Sequence, residues 1–138
     1  MICLSDAVSV VPPASVDERR TIWEPVNGVA LQRVQVFKFS DGSKAPGGNH
    51  YHRKLEEHFF VVQGCMTLLV LEDVNTEERK VFRDLGPGTK VIVSPYVAHA
   101  NCFEPGTILV AGCTTPYNKD DLDFYPYRLI DVDGDVVT

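Results

Sequence analysis

No window of about a dozen residues in this chain carries a helical period of apolar side chains. Short β-type runs divided by turn residues stand in its place. Val29 to Phe39 is one such run; His58-Phe-Phe-Val-Val follows, then a turn at Gly64 and a run from Met66 to Leu71. The polar stretch Asp73-Val-Asn-Thr-Glu-Glu separates that run from Lys80-Val-Phe. Gly86-Pro-Gly88 precedes Lys90-Val-Ile-Val, and Glu104-Pro-Gly106 precedes Thr107-Ile-Leu-Val. Many short strands with Gly/Pro punctuation predict an all-β sandwich or barrel. With 138 residues the chain is long enough to bury one core without disulfide or metal staples. Val11-Pro12-Pro13 breaks structure early, so the first ten residues are expected to form a separate strand or arm. From Tyr117 onward the chain is acidic and less patterned, which suits a helical turn or an edge strand.

Charge and cysteine usage narrow the partners. Thirteen basic against nineteen acidic side chains give a net charge of -6. An acidic chain repels phosphate backbones at long range, so no nucleic-acid partner is expected. The N-terminus has an early Asp6 and no basic leader, and no stretch approaches the roughly 18 apolar residues of a membrane span. Cys3, Cys65, Cys102 and Cys113 have irregular spacing and no CxxC pair, which excludes zinc-ribbon and thioredoxin readings. They are expected to be free thiols of a cytoplasmic protein with no membrane partner.

Three of the four histidines fall in a pattern. His50-Tyr-His52 places two imidazoles two residues apart, hence on one face of a strand. Glu57 follows, and much later Ser94-Pro-Tyr-Val-Ala-His99 comes after Gly88. Imidazole nitrogens with one carboxylate oxygen suit a borderline divalent ion such as zinc, iron, manganese or nickel. Three His and one Glu would leave coordination positions open, as a catalytic metal needs. His58 reads instead as a satisfied core or surface residue. The run Asp131-Val-Asp-Gly-Asp135 lacks the closing Glu of a calcium loop and reads as an acidic tail.

The segment from Gly48-Asn-His-Tyr-His52 to Gly64, followed by Gly88 to His99, resembles the two motifs of the cupin superfamily. His50, His52, Glu57 and His99 fall on its four ligand positions. Lys44 replaces the first motif's opening Gly, Ser94 and Tyr96 replace a Pro and a Gly of the second, and Phe103 replaces its terminal Asn. These departures touch turns and spare the ligands. The resemblance implies a single-domain cupin over 1–138, a double-stranded β-helix or jelly-roll barrel. Its core would span about 28–116, with an N-terminal arm (1–27) and an acidic C-terminal segment (117–138). It also implies one divalent metal ion and a homodimer, since small cupins pair sheet edges and the N-terminal strand could add to a neighbour's sheet.

Two further segments point within the superfamily. Asp17-Glu-Arg-Arg-Thr-Ile-Trp-Glu24 resembles the DxRGxxxE stretch of dTDP-4-keto-sugar 3,5-epimerases, with Arg20 in place of Gly. Cys113-Thr-Thr-Pro-Tyr117 resembles the tyrosine-bearing segment of the same enzymes. Gly48-Asn-His-Tyr-His and Asp123-Phe-Tyr-Pro-Tyr-Arg-Leu are similar to stretches of the cupin domains of capsular polysaccharide enzymes. The resemblance implies an epimerase or isomerase of a nucleotide-linked 4-keto-sugar that abstracts a proton beside the ketone. His50 then occupies the base position and Tyr117 the proton-donor position, with Arg19, Arg33 and Lys54 as candidates to bind the substrate's diphosphate. A metal-bound imidazole cannot also take a proton, so His50 carries two competing roles. A metal-dependent oxygenase of a small molecule and a non-catalytic sugar-binding cupin remain alternatives on the same residues.

Overall fold

The computed structural model describes residues 3–40 and 45–138; Met1 and Ile2 of the arm and Lys44 of the first motif lie outside them. Among the described residues the chain is β-structure with one 3-10 turn at Leu4–Asp6. Strands β1 (Val8–Val10), β4 (Arg33–Lys38), β6 (Glu57–Gln63), β9 (Thr89–Val93) and β11 (Ile108–Cys113) form one sheet in the order β1-β9-β6-β11-β4. Strands β5 (Gly47–Tyr51), β7 (Met66–Asp73), β8 (Arg79–Leu85), β10 (Val97–Phe103) and β12 (Tyr125–Pro126) form a second, in the order β12-β5-β10-β7-β8. The remaining pair, β2 (Ser15–Val16) and β3 (Thr21–Ile22), makes a small separate hairpin. All pairings within the sheets are antiparallel. No helix of the described residues is long and apolar enough to cross a membrane.

Alternation along the strands builds the core. Phe59 and Val61, Val91 and Val93, Leu109 and Ala111 point inward from the first sheet and meet Leu69, Leu71 and Val97 of the second. The second sheet is covered on its outer face as well, because Leu68, Val70, Ala98 and Ala100 pack under Leu129 and Ile130. Burying Leu129 and Ile130 is worth roughly 1.5–3 kcal/mol each. The C-terminal segment is therefore a packed layer: it supplies the edge strand β12, and Asp131 Oδ1 accepts the backbone N–H groups of Asp133 and Asp135 to close a turn. The N-terminal strand also has a place in its own chain, since β1 pairs with β9 and forms the edge of the first sheet.

The register at β5 brings the two cupin-like motifs together. His50 pairs with His99, and the next pair is Gly48 with Ala100, so Asn49 is an extra residue on β5. A β-bulge of this kind bends a strand and re-aims its side chains. Two positive φ angles make it, 77° at Gly48 and 59° at Asn49. A Cβ on Gly48 would stand 2.4 Å from the His99 carbonyl oxygen, so only Gly allows this approach. The displaced Asn49 side chain turns outward, accepts N–H from Leu129 and Ile130 and donates to the Ile130 carbonyl, pinning the C-terminal layer.

Candidate metal centre and its cavity

The four residues singled out by spacing converge inside the barrel. His50 lies on β5, His52 just beyond its end, His99 on β10 and Glu57 at the start of β6, so the carboxylate comes from one sheet and the imidazoles from the other. One ligand atom from each lies within 4.8 Å of the others. Metal–nitrogen and metal–oxygen bonds of roughly 2.0–2.2 Å put ligand atoms about 3–4 Å apart, so a small contraction closes the cluster on one divalent ion. His52, Glu57 and His99 are buried and His50 is half-buried.

Hydrogen bonding sets which nitrogens face inward. A backbone carbonyl only accepts, so His50 Nδ1 donates to Gly48 O at 3.0 Å and His52 Nδ1 donates to Asp123 O at 2.6 Å. The Nε2 atoms of both neutral rings then carry lone pairs. His52 Nε2 stands 2.9 Å from Glu57 Oε1, and His99 Nε2 lies 3.4 Å from the same oxygen. Two acceptors at such distances repel unless a proton or a cation lies between them. The donor set therefore fits a metal ion: His50 and His52 are fixed through their outer nitrogens, and one carboxylate is aimed at the inner nitrogens of His52 and His99.

The charge states agree. Burial works to lower the His52 pKa, but the Glu57 hydrogen bond and charge, with the contacts to Asp123, outweigh it and hold the ring above its usual value. Burial also works to raise Glu57, and the three imidazoles, His52 first, overcome it and keep the carboxyl below the usual range. His50 is pushed down, chiefly by burial and then by His52. Burial takes His99 down to about 4. His50 and His99, both held low, thus stand beside a His52–Glu57 contact that takes either a proton or a cation, and an entering divalent ion would displace the proton.

The cavity extends to both sides of the cluster. On the inner side Phe37, Phe39, Phe59 and Phe103 surround His50 and Glu57, with Asn101 as a further polar group. On the outer side Arg33, Gln35, Tyr117, Leu122 and Phe124 line the opening toward His50 and His52. Phe124 packs on His50 with ring centroids 4.5 Å apart. Tyr117 is 66% exposed at the mouth, with the Arg33 guanidinium carbon 5.9 Å from its ring centre. Arg33 Nε is buried and has no hydrogen-bond partner among the described residues. Lys54 lines an adjoining hollow with Arg33 and Tyr117, and its ammonium pairs with Asp121 at 2.6 Å.

Arg19 is not brought to this site. It sits between β2 and β3 with its side chain 73% exposed, pairs with Asp17 at 3.3 Å and lines none of these cavities. His58 is buried on the outer face of the first sheet, its Nε2 2.7 Å from Glu56 Oε1, away from the cluster as expected. Sequence reasoning assigned no role to Asn49, Asp123 or Phe124. The sole signal for the last two was the likeness of Asp123-Phe-Tyr-Pro-Tyr to capsular enzymes.

No protein-family model matches the chain, and no curated protein does. Solved structures do. The WlaRB TDP-quinovose 3,4-ketoisomerase of Campylobacter jejuni superposes with a TM-score of 0.70 at 17% identity, over 86% of this chain and 90% of that one. A 3,4-ketoisomerase from Helicobacter canadensis gives a TM-score of 0.68 at 16% identity, covering 85% and 86% of the two chains. The capsular polysaccharide assembling protein CapF of Staphylococcus aureus gives 0.60 at 22% identity over 82% of this chain, which spans a third (33%) of that protein. At these identities the likeness speaks for the fold, and with the two antiparallel sheets and the converging motifs it leaves one description. This chain has the cupin fold, built on the same barrel as the sugar 3,4-ketoisomerases.

Proposed function

We propose that this protein is an isomerase of nucleotide-linked 4-keto-sugars and that it uses His50 to move a proton beside the ketone. The observation that carries the reading is the position of His50: a neutral imidazole, locked through Nδ1, with its free Nε2 in a cavity whose mouth holds Arg33 and Tyr117. The fold shared with TDP-sugar ketoisomerases supports the substrate class.

A ketone acidifies the proton on the neighbouring carbon. His50 Nε2 removes that proton, leaving an enediol monoanion. The imidazolium, whose N–H exchanges with solvent, returns a proton to the former carbonyl carbon while the hydroxyl proton passes to the former carbonyl oxygen, which moves the ketone by one position. Arg33, with an unpartnered buried Nε, and Lys54 beside it suit the diphosphate. Arg19, on its exposed hairpin, is not among the residues that line the cavity. Tyr117 donates or relays a proton at the mouth. His52, Glu57 and His99 would hold one divalent ion, with His50 as an available fourth ligand; the ion would polarise a substrate oxygen. The split follows from contacts, since Glu57 Oε1 lies near His52 and His99 Nε2 and makes no such pair with His50. It also removes the conflict between base and ligand.

The reading includes one domain over residues 1–138 and a cytoplasmic homodimer. All four cysteines are free, which suits a reducing compartment. Val34 and Val36, 60% and 70% exposed, lie with Val62 on the outer face of the first sheet, a surface a second copy would cover. The test is conversion of TDP-4-keto-6-deoxyglucose, followed by proton NMR. A new 3-keto isomer supports the reading, and unchanged sugar in the presence of bound nucleotide-sugar opposes it.

A further inference from the structure

The segment that walls the cavity is fastened to the loop after β5 through one residue. Asp123 Oδ1 accepts the Arg53 N–H at 2.7 Å, and Oδ2 accepts those of Lys54 and Leu55 at 2.9 Å each. These three donors leave the strand where it ends, and one carboxylate satisfies them all. Their combined effect overcomes burial and keeps the Asp123 carboxyl below its usual range. The backbone at Asp123 is left-handed, φ 49°, a conformation that Asp and Asn tolerate better than other side chains. Its carbonyl is thereby turned onto His52 Nδ1 at 2.6 Å. Leu122 and Phe124, on either side, line the cavity.

We propose that Asp123 is a positioning residue: its carboxylate grips the turn at 53–55 so that its carbonyl holds the Nδ1–H of His52 and leaves Nε2 as the nitrogen presented to the metal. An imidazole by itself does not dictate which nitrogen carries the proton; a fixed acceptor does. The Asp123 carbonyl belongs to a residue whose carboxylate is anchored by three hydrogen bonds and cannot follow the ring if it flips, so the grip selects the tautomer and sets the ring plane together. The metal arm of this inference rests on the site reading above; the tautomer arm does not.

The test is imidazole nitrogen-15 NMR and zinc titration of the full chain, D123N and D123G. Asn keeps the size and the left-handed backbone but offers one acceptor oxygen to three N–H groups. Gly keeps the backbone and removes the grip. In the wild-type chain the proton on His52 Nδ1 exchanges slowly, with or without zinc; in both variants it exchanges fast. Zinc affinity, read by competition with a chromophoric chelator, falls about 10- to 100-fold in the variants. A merely structural role lowers the Tm and leaves both the Nδ1 proton and the zinc affinity unchanged, and that result overturns the proposal. So does a wild-type His52 protonated on Nε2 alone, a reading that decides the matter even where a variant fails to fold. Absence of zinc binding by the wild-type chain removes the metal reading, while the Nδ1 proton still decides the role of Asp123.

Discussion

His52 Nε2 stands 2.9 Å from Glu57 Oε1, while the other nitrogen of the ring already donates to a backbone carbonyl. That contact holds only with a positive charge in it, supplied by a proton or by an ion. An ion that binds the folded state alone stabilises it by about 2.7 kcal/mol at a free concentration of 100 Kd. Zinc should therefore raise the Tm of the wild-type chain and a chelator should reverse the rise. Glu57→Gln removes the carboxylate charge and should abolish most of the increase. An equal zinc-induced shift in Glu57→Gln, read by scanning calorimetry, would place the ion elsewhere.

Gly48 carries the register that aligns His50 with His99. Ala at this position must accept a left-handed backbone and a Cβ 2.4 Å from the His99 carbonyl oxygen. The left-handed conformation alone costs about 1–2 kcal/mol, and the collision adds to it. Gly48→Ala should lower stability in urea by at least about 2 kcal/mol and weaken zinc binding with it. Unchanged zinc affinity would mean that the bulge serves packing only.

The cluster was legible in part from spacing, because i and i+2 on a strand share a face, while Glu57 and His99 were assigned to it through the resemblance to the cupin motifs. The edge strand at the C-terminus was legible as one of two options. What could not be read was the layer beneath it. Leu129 and Ile130 sit in an acidic stretch with no periodicity, and their burial depends on Asn49, about eighty residues earlier in the chain. The bulge hid in Gly48-Asn49, residues that also serve ordinary turns. Tyr96 stands where the cupin-like motif has Gly and adopts φ 65°, a left-handed backbone that glycine takes more readily. Arg19 matched a motif in sequence and sits on an exposed hairpin, since matching letters do not carry the position of a loop.

The outer layer has its own pH signature. Tyr127 donates its hydroxyl proton to Glu72, whose other oxygen takes Arg79 Nε at 2.8 Å. The Glu72 hydrogen bond, with burial, pushes the Tyr127 pKa up to about 12. A pKa raised by folding means that the protonated form is the one the fold favours. The contribution is complete below the unfolded value of about 10 and is lost as pH rises toward 12. Thermal stability should fall across that window, and Tyr127→Phe should flatten the fall. An identical alkaline profile in the variant would assign the loss to other groups.

Tyr117 and His50 separate two parts of the proton transfer. Tyr117→Phe keeps the ring against Arg33 and removes the hydroxyl, so it should leave the fold and zinc affinity unchanged. If the hydroxyl donates or relays the proton, turnover should fall about 10²- to 10⁴-fold. Full activity in Tyr117→Phe would remove it from the chemistry and leave proton return to His50.

The most direct measurement is solvent deuterium incorporation into a nucleotide 4-keto-sugar, followed by proton NMR with the metal-loaded and the chelated protein. Proton removal by His50 predicts that the signal of the proton beside the ketone disappears in deuterated water with the wild-type chain, and that His50→Asn leaves it in place while still binding the nucleotide. Persistence of that signal with the wild-type protein in both metal states, or its loss with His50→Asn at the wild-type rate, would contradict the account.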